Sequence, residues 1–328
     1  MKYAVFTLAL LTLACTKKEA PSEAPPAEGE VALAEAAPAE AEPAVEDTAE
    51  AAPVETAPVI ELIDAGKPPL RTLRWEFKEG AREVLKIRSA YTWDAEAKGI
   101  EGGRNPPKVV LPAIIQTIHL DVGAVSDFGV AGVDFEVREE RTIEASDVPR
   151  AQLHITATKG AKGSYKVDSA GVISDFRLTP PPELPSGENV EHVEDLLRMT
   201  VFPLPAQPVG IGARWTVART AKRRGMSMNE QVTLELVELA DSDIAIRFEL
   251  ESSGTTETDI GSPQAAAVKK ETHSWNAVGR TQSTLVSPSP RSTKMLNVVG
   301  YTSQVERPDR ELEEFNVTIE RKVEMKRQ

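Results

Sequence analysis

The sequence is poor in cysteine and in aromatic residues. Its 328 residues include one cysteine, Cys15, so no disulfide forms within the chain and the thiol pairs of redox centres and zinc sites are missing. Aromatic side chains make up 5% of the residues, and no basic stretch with interleaved aromatics occurs. We therefore expect no nucleic-acid partner, and a fold held together by its apolar core alone.

Short catalytic motifs are also missing from the sequence. HExxH, G-x-S-x-G, Walker A and CxxC patterns do not occur. The four histidines are scattered along the chain, at His119, His154, His192 and His273. His192 shares one face of a predicted helix with Glu188 and Asp195, but a metal site needs a further ligand, and a solvated helix face explains the group better. We predict no catalytic residue, no metal site and no cofactor.

The first residues carry a short hydrophobic run. After Lys2 it extends over about 12 residues, which is too short to span a bilayer and typical of a secretory signal. Ala14 and Cys15 then resemble the lipobox of bacterial lipoproteins, with Thr12 where leucine is usual. The resemblance implies removal of residues 1–14, a diacylglycerol thioether on Cys15 and acylation of its amino group. Alternatively, an ordinary signal peptide is cleaved nearby and Cys15 is an incidental thiol.

The residue after Cys15 bears on the destination of such a lipoprotein. It is Thr16, whereas an aspartate at this position retains many lipoproteins in the inner membrane. The resemblance therefore implies the outer membrane, with the folded part in the periplasm or at the cell surface. A lipid anchor makes the membrane one expected partner.

Basic and aromatic residues are scarce in the Ala/Pro/Glu-rich segment that follows. Residues 16–65 hold 13 of the 51 acidic residues, two of the 38 basic ones and no aromatic residue. Such a composition buries too little apolar surface to offset the entropy of ordering. We predict that residues 15–66 form a disordered acidic tether, and that the rest of the chain is nearly balanced in charge.

Period-two alternation from residue 67 onward predicts strands. It is clearest at residues 133–138, in a hairpin of residues 230–239 and 244–250, and in a closing strand where Phe315, Val317, Ile319, Val323 and Met325 take odd positions. Glycine and proline clusters predict loops at residues 99–107 and 254–267. Further strands are expected at residues 70–77, 83–93, 152–158, 164–168, 172–178, 215–219, 271–285 and 294–305.

One helix is predicted, over residues 186–201. Ser186 is placed to act as N-cap, acidic residues follow in the first turns, and Arg198 comes late, as the helix dipole favours. Its buried side is expected to consist of Val190, Val193, Leu196, Leu197 and Met199. The helix leads into a joint of three prolines and two glycines within residues 203–212, which directs Trp215 into a strand.

The predicted fold class is all-β and mainly antiparallel. Two strand-rich halves, residues 67–185 and 203–328, form open curved sheets or half-barrels, with the helix of residues 186–202 between them. Arg74-Trp75 and Arg214-Trp215 each open a half, which favours an internal duplication. The alternative is that strands with glycine turns look alike without common ancestry.

The joint also carries a family resemblance. Residues 205–215, placed after a helix and between two strand-rich halves, resemble the corresponding part of uncharacterised bacterial β-rich lipoproteins with a domain of unknown function, over residues 70–328. A looser likeness is to the open β-barrels of periplasmic proteins that carry lipids or lipoproteins. This likeness implies a curved sheet with an apolar concave face.

Two classes of function remain open. The first is a non-catalytic interaction or envelope-support module, whose partners are other envelope proteins. The second is a carrier of a lipid or other apolar ligand, with a concave face lined by residues such as Ile115, Leu120 and Phe135. Four tryptophans either line a groove or are core aromatics, namely Trp75, Trp93, Trp215 and Trp275. Asp241 and Asp243 fit an ordinary turn better than a cation site.

Overall fold

Strands dominate the computed structural model, which describes residues 57–99, 108–143, 158–182, 190–223, 226–259, 268–306 and 312–328. One helix, α1 (Glu191–Arg198), occurs among them. The strands are β1 (Val59–Asp64), β2 (Lys67–Arg71), β3 (Arg82–Lys98), β4 (Val109–Val125), β5 (Ala131–Ile143), β6 (Lys162–Val167), β7 (Ile173–Thr179), β8 (Val209–Ile211), β9 (Arg214–Arg223), β10 (Met226–Ala240), β11 (Asp243–Asp259), β12 (Val268–Thr284), β13 (Ser292–Glu306) and β14 (Glu313–Arg327).

A single 12-stranded sheet contains all strands except β2 and β8, which pair with each other. Its order is β1-β9-β10-β11-β12-β13-β14-β3-β4-β5-β6-β7, and every neighbouring pair is antiparallel. The sheet does not close on itself, since β1 and β7 are its two edges. The prediction of an all-β, mainly antiparallel fold with one helix is confirmed.

The two predicted halves are joined within this sheet. Strands β3–β7 form one consecutive run and β9–β14 the other, and β14 pairs with β3 along 14 residue pairs from Glu314↔Lys98 to Arg327↔Leu85. Strand β1 lies beside β9, at the far edge of the second run. Whether the halves arose by duplication remains a prediction.

Successive side chains of a strand point to opposite faces of the sheet, so every second side chain faces the interior. On β3 and β14 the odd positions point to one face, where Leu85, Ile87, Val323 and Met325 are at most 1% exposed. We call this side the inner face. The predicted hairpin of β10 and β11 and the alternation of the closing strand are both confirmed, since their predicted apolar positions lie on it.

A plug fills the inner face at one end of the sheet. It consists of residues 72–77, helix α1 and residues 199–206, and its apolar side chains belong to the same buried cluster as those of the strands. The side chain of Phe202 contacts Phe248 of β11, with ring centroids 4.9 Å apart. The predicted buried side of the helix is confirmed, from Val190 to Met199.

Two hydrogen bonds of the plug show how strongly the sheet curves. The amide of Trp75 donates to Ser169 O at 2.8 Å, and that of Glu76 donates to Leu285 O at 2.8 Å. Ser169 follows β6 and Leu285 follows β12, which are six strands apart in the sheet. A flat sheet would separate them by roughly 29 Å. Because adjacent residues bridge them, the sheet must bend into an open half-barrel around the plug.

The proline–glycine joint lies at the centre of the plug. The indole N–H of Trp75 donates to Phe202 O at 3.2 Å, and that of Trp215 donates to Pro203 O at 2.8 Å. The Arg74 guanidinium donates to Pro205 O at 3.0 Å. Arg74, Trp75 and Trp215 therefore all hold the same short segment, although of these three only Trp215 lies in a strand.

Several predicted boundaries are wrong. Strand β1 (Val59–Asp64) lies within the range predicted as tether, where pairing with β9 orders it. Residues 72–77 are part of the plug instead of a strand, because their amides bond to turns of the sheet. Residues 254–259 extend β11 along β12 instead of forming a loop. The helix starts at Glu191, and the predicted N-cap Ser186 lies outside the described residues, as does most of the strand predicted at 152–158.

Candidate ligand site on the upper inner face

Strands β3, β12, β13 and β14 continue beyond the plug and present an inner face on which the side chains are less deeply buried. Register places these side chains in rows that run across β3, β14, β13 and β12 in that order. The first row is Tyr91, Arg321, Asn297 and Ala277; the second is Trp93, Ile319, Val299 and Trp275; the third is Ala95, Val317, Tyr301 and His273. We call the second and third rows the upper inner face.

The second row is apolar on every strand. All four of its side chains are half-buried, in contrast to the fully buried core residues of the same strands. Directly paired side chains on adjacent strands lie about 5 Å apart, so Trp93, Ile319, Val299 and Trp275 form a continuous apolar strip. Partly exposed apolar strips with two tryptophans are typical of surfaces that bind apolar groups.

The first row places a charged side chain at the floor of this strip. Arg321 is 8% exposed, and its Nε and Nη2 donate to Ser89 Oγ at 3.3 and 3.0 Å. Its guanidinium carbon lies 5.2 Å from the centroid of the Tyr91 ring, a cation–π contact. Within the described part of the chain, no carboxylate forms an ion pair with Arg321. A buried cation without a counter-ion is costly, which marks this position as unusual.

Asn297 lies next to Arg321 in the same row. It is 3% exposed, and its Oδ1 has no hydrogen-bond partner among the described residues. Buried polar atoms are nearly always paired in folded proteins. Arg321 and Asn297 together therefore form a polar floor with unused hydrogen-bonding capacity.

The third row and its neighbours on β12 carry a hydrogen-bonded polar cluster. Tyr301 donates to Glu271 Oε1 at 2.5 Å, Lys269 Nζ lies 2.5 Å from the same oxygen, and the His273 ring packs against Tyr301. Burial favours the protonated carboxyl of Glu271, but the bonds from Lys269 and Tyr301 outweigh it and lower its pKa. Burial, and then the bond to Glu271, raise the pKa of Tyr301 to about 12. Both groups therefore keep their ordinary protonation states at neutral pH.

The plug end of the interior leaves no room for a ligand. A cavity of about 60 Å³ lies between Met199, Val217, Leu250 and Trp275, enough for about two water molecules. The buried ion pair of Arg219 and Glu230, at 2.6 Å, borders it. This cavity is therefore too small for a ligand, whereas a cavity of about 630 Å³ lies on the outer face, lined mainly by charged residues such as Arg214, Glu235, Arg247 and Arg280.

The residues predicted to line a concave ligand face do not do so. Leu120 and Phe135 are 0% and 4% exposed and belong to the packed core, where Phe135 contacts Phe176 with ring centroids 5.5 Å apart. Ile115 lies on the opposite face of β4, paired with Arg88 and Arg141. The apolar run of β4 occupies both faces, so its composition alone did not show which residues share a side.

Other predicted positions have ordinary surroundings or lie outside the described residues. Trp75 and Trp215 are core residues that hold the joint, whereas Trp93 and Trp275 lie on the upper inner face. Asp243 accepts hydrogen bonds from Arg291 at 2.7 Å and Thr284 at 3.1 Å, as in an ordinary turn. The structure does not describe Cys15, His154 or Glu188.

Sequence reasoning missed Arg321 and Asn297, although a signal was present. Arg321 occupies an odd position of β14 between Ile319 and Val323, in a series that is otherwise apolar. Asn297 interrupts the buried alternation of β13 in the same way. A charged or amide side chain at a core-facing position is the pattern that identifies such a site.

Comparison with known proteins leaves the chain without an assigned family. None of the protein-family models matches it, and no curated protein is significantly similar to it. In the described part of the chain, no helix has the length and hydrophobicity needed to cross a membrane.

Proposed function

We propose that the protein is a lipid-anchored envelope protein that binds an apolar or amphipathic small molecule on its upper inner face. The observation that carries this proposal is the half-buried apolar strip of Trp93, Ile319, Val299 and Trp275 inside an open half-barrel. A carrier needs an apolar surface that the ligand can reach and leave, and an unclosed sheet provides one.

The geometry favours binding over catalysis. Two titratable groups near the strip, Glu271 and Tyr301, bond to each other, and their pKa values move away from neutrality in opposite directions. A general acid or base works best with a pKa near the operating pH. The cluster therefore suits the polar margin of a binding surface.

The membrane anchor is supported by the sequence. Ala14 and Cys15 directly after a short apolar run suit lipidation, and the acidic segment that follows suits a tether to the outer membrane. Incorporation of labelled palmitate, lost in Cys15→Ser, tests the anchor separately from ligand binding.

The interaction-module alternative has one observation in its favour. Val278 and Leu296 pair on the outer face of β12 and β13, with 47% and 37% of their surfaces exposed. Two side chains make a small apolar patch compared with a protein interface, which requires about 800 Å² on each partner. The upper inner face offers four adjacent apolar side chains instead of two.

Matched aspartate variants on the two faces test the proposal. Full-length Cys15→Ser protein is titrated with the neutral apolar dye diphenylhexatriene, and binding is followed by dye fluorescence. Val299→Asp on the upper inner face is expected to weaken binding about tenfold or more, because a carboxylate would be buried under the ligand. Val110→Asp, at an exposed position of β4 that lines neither cavity, is the control and leaves binding unchanged. Equal binding by both variants would contradict the proposal, provided that thermal melting shows both to be folded.

A further inference from the structure

The buried cation on the floor of the upper inner face has no ionic partner among the described residues. Two nitrogen atoms of Arg321 donate to the same hydroxyl, Ser89 Oγ, and the ring of Tyr91 lies beside the guanidinium. A guanidinium has five N–H donors arranged to grip a carboxylate or phosphate through two parallel bonds. Ser89 can satisfy only part of this capacity.

Other buried arginines of the protein show the contrast. Arg219 has the carboxylate of Glu230 at 2.6 Å, and Arg198 has that of Glu194 at 2.7 Å. Arg321 is as well enclosed but has no described carboxylate within ion-pair distance. An arginine kept without a carboxylate in the interior is suited to an anion that comes from outside the chain.

Asn297 extends this polar floor toward β12. Asn297 is 97% buried and neighbours Arg321 in the first row, and its Oδ1 has no hydrogen-bond partner among the described residues. An amide at this place can accept a hydrogen bond from a hydroxyl of a bound headgroup while the guanidinium binds the anionic oxygens. The two side chains therefore match a head that carries both charge and hydrogen-bonding groups.

We propose that the ligand is an amphiphile with an anionic head, whose carboxylate or phosphate accepts hydrogen bonds from Arg321 while a hydroxyl of the head, where it has one, donates to Asn297 Oδ1 and its acyl chain lies along the upper inner face. This inference rests on the proposed function. From Arg321 to Phe315 along β14 the strand rises about 20 Å, which is the extended length of an acyl chain of about sixteen carbons. The head is bound inward, beside the plug, and the tail crosses the apolar strip at Ile319 and ends at Phe315, one row beyond the upper inner face.

Competition experiments with heads of different charge test this orientation. Full-length Cys15→Ser protein is loaded with diphenylhexatriene, which is then displaced by palmitate, by 1-palmitoyl lysophosphatidylglycerol or by hexadecanol. The two anions are expected to have an affinity about 10-fold or more above that of hexadecanol, because hydrogen bonds to charged groups are stronger than those between neutral groups. Preference for palmitate identifies a carboxylate ligand, and preference for the lysolipid identifies a phosphate.

Variants of the floor separate recognition of the head from binding of the tail. Arg321→Gln is expected to weaken the affinity for the preferred anion about 10-fold or more, while the affinity for hexadecanol changes by less than about twofold. Asn297→Ala should weaken the lysolipid, whose head carries hydroxyl donors, and leave palmitate unchanged, and Arg88→Gln on the outer face of β3 is the matched control. Equal loss for the anion and for hexadecanol, or no loss for either, would overturn the inference.

The outcomes distinguish this inference from the proposed function. If wild-type protein binds neither diphenylhexatriene nor hexadecanol, the proposed function itself fails. If it binds both, but without preference for an anionic head, only the present inference fails. Thermal melting of each variant shows whether a loss of binding reflects a loss of folding.

Discussion

Removal of Arg321 together with Ser89, its hydrogen-bond partner among the described residues, should not destabilise the protein. The side chain is 8% exposed and bonds to Ser89 Oγ, which is itself 1% exposed. Ser89→Ala alone leaves a buried guanidinium without a partner, at a cost of about 1.5–3 kcal/mol in unfolding free energy. Arg321→Met alone leaves an unpaired buried hydroxyl, which costs about 1–3 kcal/mol but is offset by loss of the buried charge.

The double variant Ser89→Ala/Arg321→Met contains neither the charge nor the orphaned hydroxyl. Replacement of buried charged groups by apolar ones of similar size is often neutral or stabilising by about 1–4 kcal/mol. We therefore expect the double variant to equal or exceed the wild type in stability, with strong coupling between the two sites. Urea unfolding of the wild type, the two single variants and the double variant, all in the Cys15→Ser background, measures this coupling as a double-mutant cycle.

This reasoning would be refuted if the stability losses of the two single variants were additive. If the double variant loses the sum of the two single losses, the guanidinium stabilises the fold through contacts other than Ser89, and its role is structural. If the double variant is more stable but has lost its preference for anionic amphiphiles, the buried charge is kept for binding at the expense of stability.

Two further predictions concern the sheet and the polar margin. Gly279→Ala should cost about 1–3 kcal/mol in urea unfolding, because a Cβ there would lie 2.5 Å from the Phe248 ring and 2.6 Å from Lys294 O. Gly132→Ala, where a Cβ would meet nothing within 4 Å, is its control, and equal losses would contradict this packing. The pKa of Glu271 is lowered, so its stabilising contribution exists above the ordinary value of 4.5 and disappears as the pH falls through the lowered pKa. Glu271→Gln should therefore be less stable than wild type at neutral pH and converge with it in acid; a pH-independent difference would show that ionisation plays no part.

Alternation predicted the strands that have one polar face. In β11 the apolar residues Ile244, Ile246, Phe248 and Leu250 all point inward, as the sequence pattern required. The same rule misassigned residues 72–77, where Leu73, Trp75 and Phe77 alternate but the amides of Trp75 and Glu76 bond to turns of distant strands. Side-chain periodicity does not show which carbonyl groups accept the hydrogen bonds of the backbone amides. A plug segment can therefore have the same residue pattern as a strand.

The end of the tether and the site were mispredicted for different reasons. Strand β1 is short and follows an Ala/Pro/Glu-rich segment, and only its pairing with β9 orders it, which no local pattern shows. Arg321 was overlooked because a charged residue in an amphipathic strand is expected to face solvent. Its neighbours Ser89 and Tyr91 come from β3, and the pairing of β3 with β14 could not be inferred from either segment by itself.

The seam between β3 and β14 constrains the order of folding. Ser89 and Arg321 meet across it although 232 positions separate them in the chain. During synthesis β3 must wait with one edge unpaired until β14 has emerged, and an exposed strand edge invites pairing with other chains. Non-local pairing of this kind also slows folding. In a protein built this way, the free edge of β3 is the part of the nascent chain most in need of protection until β14 has been made.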